Sequence, residues 1–541
     1  MAKVKPSEKA DETGNSSPPG QLQYVEGVKK RVDIWRYKPY VCKVKIIDIL
    51  TGKRIILLNG KEAQAHDIYA GYRSEVKFDS KKLVALVDTS SEMVKEGEVG
   101  IYHEVAEELG LENNAKVEII HLNRPASIEY IKRKMDGTPL AKAEIFTIVK
   151  EITEEKLSEV ETAAWVSAAY INGFTDDEIV SLAEATVASG DKLDLGKTPI
   201  LDKHCVGGVA GNRTTMVVVP IIAANGLYIP KTSSRAITSA AGTADTMEVL
   251  APVDLKIDEM RDVVKKSYGA IVWGGGMKLA PVDDKLIKIR NPLSLDPEGM
   301  LLASILGKKK SVGAEYVIVD IPVGRGTKTP DIVKAQLLAK HFIKIGNDLG
   351  MKIEALMTDG AEPIGNGIGT GLECVDVLQV LEGKGPEDLK HKSCMLAGKL
   401  LELSGKVGKG QGYNIAVRTI ESGKALQKMK EIIDLQGGNP KVKSSDMPVG
   451  QYTYDVCSDT GGQIFHIDNK AMSKIARMAG APFDQGAGVF VHKARGANVG
   501  KGDKLFTIHA ESEAKLEFAI KAQQDLEAIE MRKMLLGELQ E

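Results

Sequence analysis

The sequence predicts a multidomain α/β fold. It would comprise an N-terminal, mostly β, barrel-like domain, a helical lobe, a central α/β domain on a mixed or parallel sheet, and a small C-terminal α+β domain. Three observations point to it. The 541 residues suit roughly three or four domains. The hydrophobic period changes along the chain, from strand alternation to a helical face and then to strands alternating with helices. Two loops rich in glycine and hydroxyl residues, Lys203–Thr215 and Ser233–Glu248, each follow a short apolar segment. Loops of that kind after successive strands converge at one end of a parallel sheet, where α/β folds bind ligands.

Residues 1–24 mix charge with Gly, Ser and Pro and read as a disordered tail rather than a signal peptide. A β domain is expected over 25–122. Cys42, Val44 and Ile46 alternate with Lys43 and Lys45, a turn falls at Thr51-Gly52-Lys53, and Ile55–Leu58, Leu83–Val87 and Val117–Ile120 supply further strands. It looks similar to the double-psi barrels that precede some archaeal enzymes and AAA ATPases, and holds no catalytic constellation. Residues 123–192 read as helical. Thr175 and Glu178 form a capping box with Phe174 and Ile179 at the staple positions, and Gly190 supplies the stop. Strands and helices alternate over 193–280 and again over 314–446. The 281–313 interruption is assigned to the helical lobe on the family likeness described below. Gly274-Gly275-Gly276 and Gly324-Arg325-Gly326 are linker candidates. Asp359–Gly371, without Lys or Arg, reads as a turn at a sheet edge rather than a further phosphate loop. Residues 447–541 read as a separate domain ending in a charged helix, Glu511–Leu539. No Met-Lys-Met is present, so Lys493 is not expected to be a carrier lysine.

Bulk properties exclude several functions. A net charge of −2 gives no electrostatic case for nucleic acid or a membrane surface. No apolar run approaches the ~18 residues of a membrane span. The scattered cysteines, Cys42, Cys205, Cys374, Cys394 and Cys457, contain no C-x-x-C pair. They read as reduced thiols of a cytoplasmic protein, with neither zinc nor a disulfide framework.

In Lys203-His204-Cys205-Val206-Gly207-Gly208-Val209-Ala210-Gly211-Asn212-Arg213-Thr214-Thr215 a strand at Thr198–Leu201 leads into a glycine loop, and a helix follows over the apolar run Met216–Ala224. Glycine lets backbone N–H groups approach an oxyanion, and the helix start adds free N–H groups and a positive dipole end. Lys203 adds charge and the threonines add hydroxyls. The alternative is a βα turn with no ligand. The second loop, Ser233-Ser234-Arg235-Ala236-Ile237-Thr238-Ser239-Ala240-Ala241-Gly242-Thr243-Ala244-Asp245-Thr246-Met247-Glu248, favours a ligand site.

With these two motifs the chain resembles the thymidine/pyrimidine nucleoside phosphorylase family over roughly residues 125–541. The family pattern is Lys-His-Ser-x-Gly-Gly, then Ser-x-Arg and Gly-Thr-x-Asp-x-x-Glu; Cys205 stands where the family has Ser, and one residue is inserted around Ala210. The resemblance implies an enzyme, a pentosyltransferase, with phosphate held by Lys203, Cys205, Thr215, Ser233 and Thr243. The Cys205 contact is weakened because a thiol is a poor donor, and the insertion leaves Thr214 or Thr215 for the helix-start role. On the base side it implies Arg290, Ser304 and Lys308. Asp296 reads either as an N-cap before Pro297 or as a carboxylic acid of raised pKa that protonates the leaving base. His204 is the competing acid.

The added β domain, the Gly-Asn-Arg-Thr-Thr continuation and Ser-Ser-Arg-Ala-Ile-Thr-Ser resemble the archaeal, nucleotide-using branch of the family. That branch implies conversion of AMP, and of CMP and UMP, with phosphate to free base and ribose 1,5-bisphosphate. The implied nucleotide contacts are Gly208, Ser234, Arg235, Ala236, Ile237, Thr238, Ser239, Thr243, Ser304 and Lys328, with Asp296 as proton donor. A substrate 5′-phosphate needs a second anion site, for which Arg213, Arg325 and Lys328 are candidates; the alternative for Arg325 and Lys328 is a solvated loop. No metal or cofactor is expected beyond phosphate as co-substrate, and a homodimer or larger homo-oligomer is expected. The alternatives are a pyrimidine nucleoside phosphorylase and a non-catalytic assembly module. A phosphoribosyltransferase of the anthranilate type would need metal-bound pyrophosphate, for which no acidic motif is found.

Overall fold

A computed structural model describes residues 39–122 and 124–532. The 1–24 tail and the chain end after Arg532 lie outside them. The chain divides into two compact units, Met1–Arg124 and Pro125–Glu541.

The first unit is a closed barrel of strands β1 (Tyr40–Ile47), β2 (Ile55–Asn59), β3 (Arg73–Phe78), β4 (Lys81–Ser90), β5 (Glu98–Tyr102) and β6 (Lys116–His121), in the order β1-β5-β2-β4-β3-β6. In β1 the alternation turns Tyr40, Cys42 and Val44 into the core and Val41, Lys43 and Lys45 outward. The β1–β5 and β2–β4 pairs are parallel and the others antiparallel. Closure leaves no free sheet edge. Two short helices, α1 (Gly60–Ala65) and α2 (His103–Leu109), complete the unit.

The second unit begins with four helices, α3 (Ser127–Met135), α4 (Lys142–Thr153), α5 (Glu159–Asn172) and α6 (Asp176–Ala188). Thr175 caps α6 by accepting from the Glu178 N–H, and Glu178 answers the Thr175 N–H at 2.8 Å. Glu178 is also the buried partner of Lys134, at 2.8 and 2.9 Å. One carboxylate therefore fixes both the start of α6 and its seat on α3.

A parallel sheet follows. Strands β7 (Leu201–Cys205), β10 (Tyr316–Val323) and β11 (Lys352–Asp359) run in the order β11-β10-β7, and β8 (Ile229–Ser233) pairs in parallel with β9 (Gly269–Trp273). A parallel bridge from Ile200 to Tyr228 joins the two groups. The sheet carries α7 (Thr214–Ala224), α8 (Thr243–Glu248) and α9 (Ile257–Ser267). After β9 the chain leaves it for α10 (Pro281–Leu293) and α11 (Glu298–Ser311), and α11 packs along α6 in the helical layer. It returns through β10, α12 (Ile332–Asp348) and β11.

The strand expected at Thr198–Leu201 lies further on, so Lys203, His204 and Cys205 are strand residues rather than loop residues. Pro199 has no N–H to give a ladder. The polar residues that follow it are tolerated in the sheet because their charges are paired from beneath. The glycine triplets proposed as linkers instead close the ends of β9 and β10, and Gly274 N donates to Ser233 O at 2.9 Å.

Beyond β11 come β12 (Gly367–Ile368), α13 (Thr370–Leu381), α14 (Glu387–Leu403), α15 (Gly412–Glu421) and α16 (Lys424–Leu435). The C-terminal elements are β13 (Tyr452–Cys457), β14 (Gly462–Ile467), α17 (Asn469–Met478), β15 (Gly488–Val491), β16 (Asn498–Val499), β17 (Lys504–Ala510), α18 (Glu513–Gln524) and β18 (Ile529–Met531). They form sheets ordered β12-β15-β17-β13 and β16-β14-β18.

The larger C-terminal sheet takes β12 from the Asp359–Gly371 segment as an edge strand. One expectation changes here. The final helix stops at Gln524 rather than running to Leu539, since Ile529–Met531 pair with β14 as a strand; residues beyond Arg532 are outside the description. Among the described residues no helix is long and apolar enough to cross a membrane.

Candidate active site

The floor of the site is a buried charge network. Asp202 receives Lys231 at 3.2 Å and Lys309 at 2.7 Å. Asp320 has Lys203 at 3.9 Å and Lys392 at 3.4 Å from the same oxygen. All six side chains are buried. Four lysines over two carboxylates put more basic than acidic groups into a low-dielectric interior, which retains positive charge only where an anion or further polar partners offset it. Burial pushes Lys203 and Lys231 below the ordinary lysine range, against the pull of Asp320 and Asp202 respectively. Among the described residues Lys392 Nζ has no hydrogen-bond partner. Of this set the sequence singled out only Lys203.

Above this floor the first loop crosses from β7 to α7. Lys203 Nζ donates to Thr214 Oγ1 at 2.9 Å, and Thr214 donates to Asn212 Oδ1 at 3.0 Å. Thr214 is thus committed to the loop, and Thr215 follows it in the first turn of α7. Burial and the neighbouring Asp320 push the Cys205 thiol up to about 12. It stays protonated, directed at Gly207 O and accepting from Asn212 Nδ2 at 3.4 Å. Gly208 faces open space. At Gly211, φ is +68° and an added Cβ would lie 2.2 Å from Ile364 O. The Asp359–Gly371 segment is therefore the bed on which the loop lies, and only glycine fits there.

His204 was expected to compete as the general acid. Burial, and then Lys309, Lys231, Lys203 and Lys308, drive it well below its ordinary range. It is therefore neutral near pH 7 and has no imidazolium proton to give.

The second loop is organised by two carboxylates of its own motif. Asp245 accepts from Ala236 N at 2.6 Å and Gly242 N at 2.9 Å. Arg235 pairs with Asp245 at 3.2 Å and with Glu248, and its guanidinium lies over Trp273. The Arg235 side chain is therefore engaged within the loop. Ser239 Oγ donates to Ala241 O at 3.0 Å, and Ile237 is exposed. Ser234 and Thr238 belong to the same open stretch. Ser233 Oγ is buried and has no partner among the described residues.

Arg213 joins the two loops. Its guanidinium is held by Glu373 and donates to Ala241 O at 2.7 Å and to Thr243 Oγ1 at 3.4 Å. It is buried and fully engaged, so it is not available to a 5′-phosphate. Arg325 is exposed and pairs with Glu530 at 2.6 Å on a C-terminal strand.

Lys328 differs from both. Its stem lies against Gly207, where an added Cβ would meet Lys328 Cβ at 3.5 Å, and its Nζ reaches Asp296 Oδ2 at 2.8 Å. Asp296 is half exposed and stands within 3.5 Å of Arg290. It is not the cap of α11, whose N-cap is Pro297 with no side-chain bond. The base-side residues converge on a group the sequence reading missed. Ser304 Oγ donates to Asp283 Oδ2 at 2.7 Å, Lys308 Nζ lies 2.5 Å from that oxygen, and Arg290 lies 3.9 Å from the other. Asp283 is buried in the first turn of α10. Acidic residues are common at that position for helix-dipole reasons alone, so nothing in the sequence set it apart.

The geometry is a cationic floor, two loops rich in glycine and hydroxyl groups, and a cluster of Asp, Arg, Ser and Lys on helices. A glycosyl transferase family's helical bundle domain matches residues 128–190, that family's a/b domain matches 197–426, and the pyrimidine nucleoside phosphorylase C-terminal domain matches 464–530. The chain belongs to the thymidine/pyrimidine nucleoside phosphorylase family. Within it, the AMP phosphorylase of Methanococcoides burtonii is 45% identical over 499 residues, 92% of this chain and 98% of that one. Those of Methanosarcina barkeri and Pyrococcus furiosus are 46% and 45% identical, over 91% of this chain and 97% and 98% of their own. The solved anthranilate phosphoribosyltransferase of Thermus thermophilus covers 57% of this chain and 98% of its own at 17% identity, with a TM-score of 0.49.

Replacing Arg213 by Met strands the buried Glu373 carboxylate. The expected loss is about 3 kcal/mol of stability, measured as a lowered thermal midpoint. Arg213→Lys should recover less than half of it, since an ammonium cannot reproduce the forked contacts.

Proposed function

We propose that this chain cleaves the N-glycosidic bond of nucleoside 5′-monophosphates with inorganic phosphate, releasing the free base and ribose 1,5-bisphosphate. AMP is the principal substrate proposed, with CMP and UMP also used. The observation that carries this reading is Lys328, whose stem lies against Gly207 of the first loop and whose Nζ reaches the carboxylate of Asp296. An acid for the leaving base and a cation for a phosphate thus meet at one point.

In this reading inorganic phosphate sits over the cationic floor, on Lys203, Thr215, Ser233, Thr243 and the backbone of the first loop around Gly208. Cys205 contributes little, its thiol being turned to Gly207. The nucleotide lies along Ser234–Ser239 with its base toward Arg290, Ser304 and Lys308. A phosphate oxygen bonds to C1′ as the C1′–N bond breaks; the bonding pair leaves with the base, and Asp296 supplies the proton that neutralises it. The substrate 5′-phosphate competes with Asp296 for Lys328, so binding remote from the reacting bond frees the acid where it is needed. Neutral His204 takes no part as an acid. No metal or cofactor is invoked, and no nucleic-acid or membrane partner. A cytoplasmic homo-oligomer is proposed.

Pyrimidine nucleoside phosphorolysis is the second reading, favoured by the Arg290, Ser304 and Lys308 set on Asp283. Release of free base from AMP, CMP, UMP, adenosine and thymidine, with and without phosphate, separates the two. Phosphate-dependent turnover of AMP with little from adenosine or thymidine is expected; equal rates on AMP and adenosine overturn the proposal.

Asp296→Asn should lower kcat for AMP by about 100-fold or more while AMP still binds, read by steady-state kinetics beside calorimetry. The pH dependence follows from Lys203. Its ammonium is the form that binds phosphate, and burial lowers its pKa. Phosphate KM should therefore rise on the alkaline side, at a pH below the ordinary lysine range. Lys392 is a like charge that pushes Lys203 down further. Lys392→Met should then weaken phosphate at neutral pH yet move the alkaline limb to higher pH.

A further inference from the structure

One C-terminal helix touches both loops, one near each end. Asp468 caps α17 by accepting from Ala471 N at 2.7 Å, which places Asn469 at the first helical position. The Asn469 carboxamide is buried and completely directed. Its Oδ1 accepts from the Ala210 N–H of the first loop at 3.1 Å, and its Nδ2 donates to Gly360 O and Ala361 O, both at 3.0 Å. Two turns on, Arg477 Nη1 donates to Ile237 O at 3.3 Å and Ser239 O at 3.0 Å, two carbonyls of the second loop. At ~1.5 Å of rise per residue the two contacts are about 12 Å apart along the helix.

The apolar face between them makes the same connection. Ala210 of the first loop and Ala240 of the second are buried in the C-terminal core with Met472, Ile475, Ala476 and Ala479 of the helix and its end. Ala210 thus supplies a methyl group to this core and an N–H to Asn469.

We propose that α17 is a template for the active site, with Asn469 a positioning residue for the inorganic phosphate loop and Arg477 a positioning residue for the nucleotide loop. Neither side chain touches substrate. Asn469 fixes the height of the loop backbone between Gly208 and Gly211, and Arg477 holds the 237–239 carbonyls back so that the Ser234–Ser239 stretch presents its N–H and hydroxyl groups to the cleft. The assignment of ligand to loop rests on the function proposed above.

The test uses the full chain and measures inorganic phosphate and AMP binding separately by calorimetry, with kcat and both KM values alongside. Asn469→Ala should weaken phosphate by about tenfold and leave AMP nearly unchanged, the size expected for one lost backbone hydrogen bond. Asn469→Asp keeps the acceptor for Ala210 but turns an oxygen toward the Gly360 and Ala361 carbonyls, so it should not restore binding. The exposed Arg477 offers a variant that leaves the core intact. Arg477→Met should weaken AMP severalfold with phosphate unchanged, and Arg477→Lys should recover part of the loss. Unchanged affinities in Asn469→Ala or Arg477→Met overturn the proposal, as does an equal loss of both ligands in both variants. A wild-type chain that binds phosphate but does not turn over AMP would instead overturn the proposed function, while the Asn469 arm still decides the role of α17.

Discussion

The structure of this site depends on charge buried without a matching partner. Asp202 and Asp320 lie on adjacent strands of the parallel sheet, each beneath a pair of lysines that come from β7, β8, α11 and α14. Buried ammonium groups in excess of carboxylates are costly to hold. The fold meets that cost by drawing its strands and helices together on these two carboxylates. The same imbalance leaves the end of β7 attractive to an anion before any loop contact is considered. Helix starts and glycine N–H groups shape the site, but the potential beneath it comes from the sheet.

The loops are held in shape by buried and half-buried carboxylates. Asp245 ties Gly242 to Ala236, Glu248 takes Arg235, and Glu373 fixes Arg213 between the loops while also accepting from Thr246. Three of these five charged residues, Arg235, Asp245 and Glu248, lie inside the second motif itself. The spacing Gly-Thr-x-Asp-x-x-Glu is therefore first a rule for folding a loop and only through that a rule for binding. Charged groups that look available in sequence, Arg213 and Arg235 above all, are engaged by carboxylates within the fold.

This explains what could be read from sequence and what could not. The barrel, the capped α6 and the two loops were legible because each has a local signature: alternation, a capping box, or glycine and hydroxyl density. Lys328 and Asp296 were legible by resemblance, and the structure brings them together. Asp202, Lys231, Lys309, Asp320 and Lys392 were not, because their partners are tens to hundreds of residues apart and a polar strand end has no hydrophobic period. Thr198–Leu201 looked more strand-like than Leu201–Cys205 for the same reason. The end of α18 was misplaced because charge density alone does not reveal that Ile529–Met531 find a partner in β14.

The bond between Ala210 and Asn469 spans 259 residues of sequence. On a ribosome the first loop emerges long before the helix that holds it, and the sheet behind it can close while that N–H still faces water. Contacts of such separation form late, because the intervening chain must be ordered before they gain anything. Catalytic competence would then be the last property this chain acquires during synthesis. A nascent or C-terminally clipped copy could be compact and yet inert, with its anion-binding loop unset.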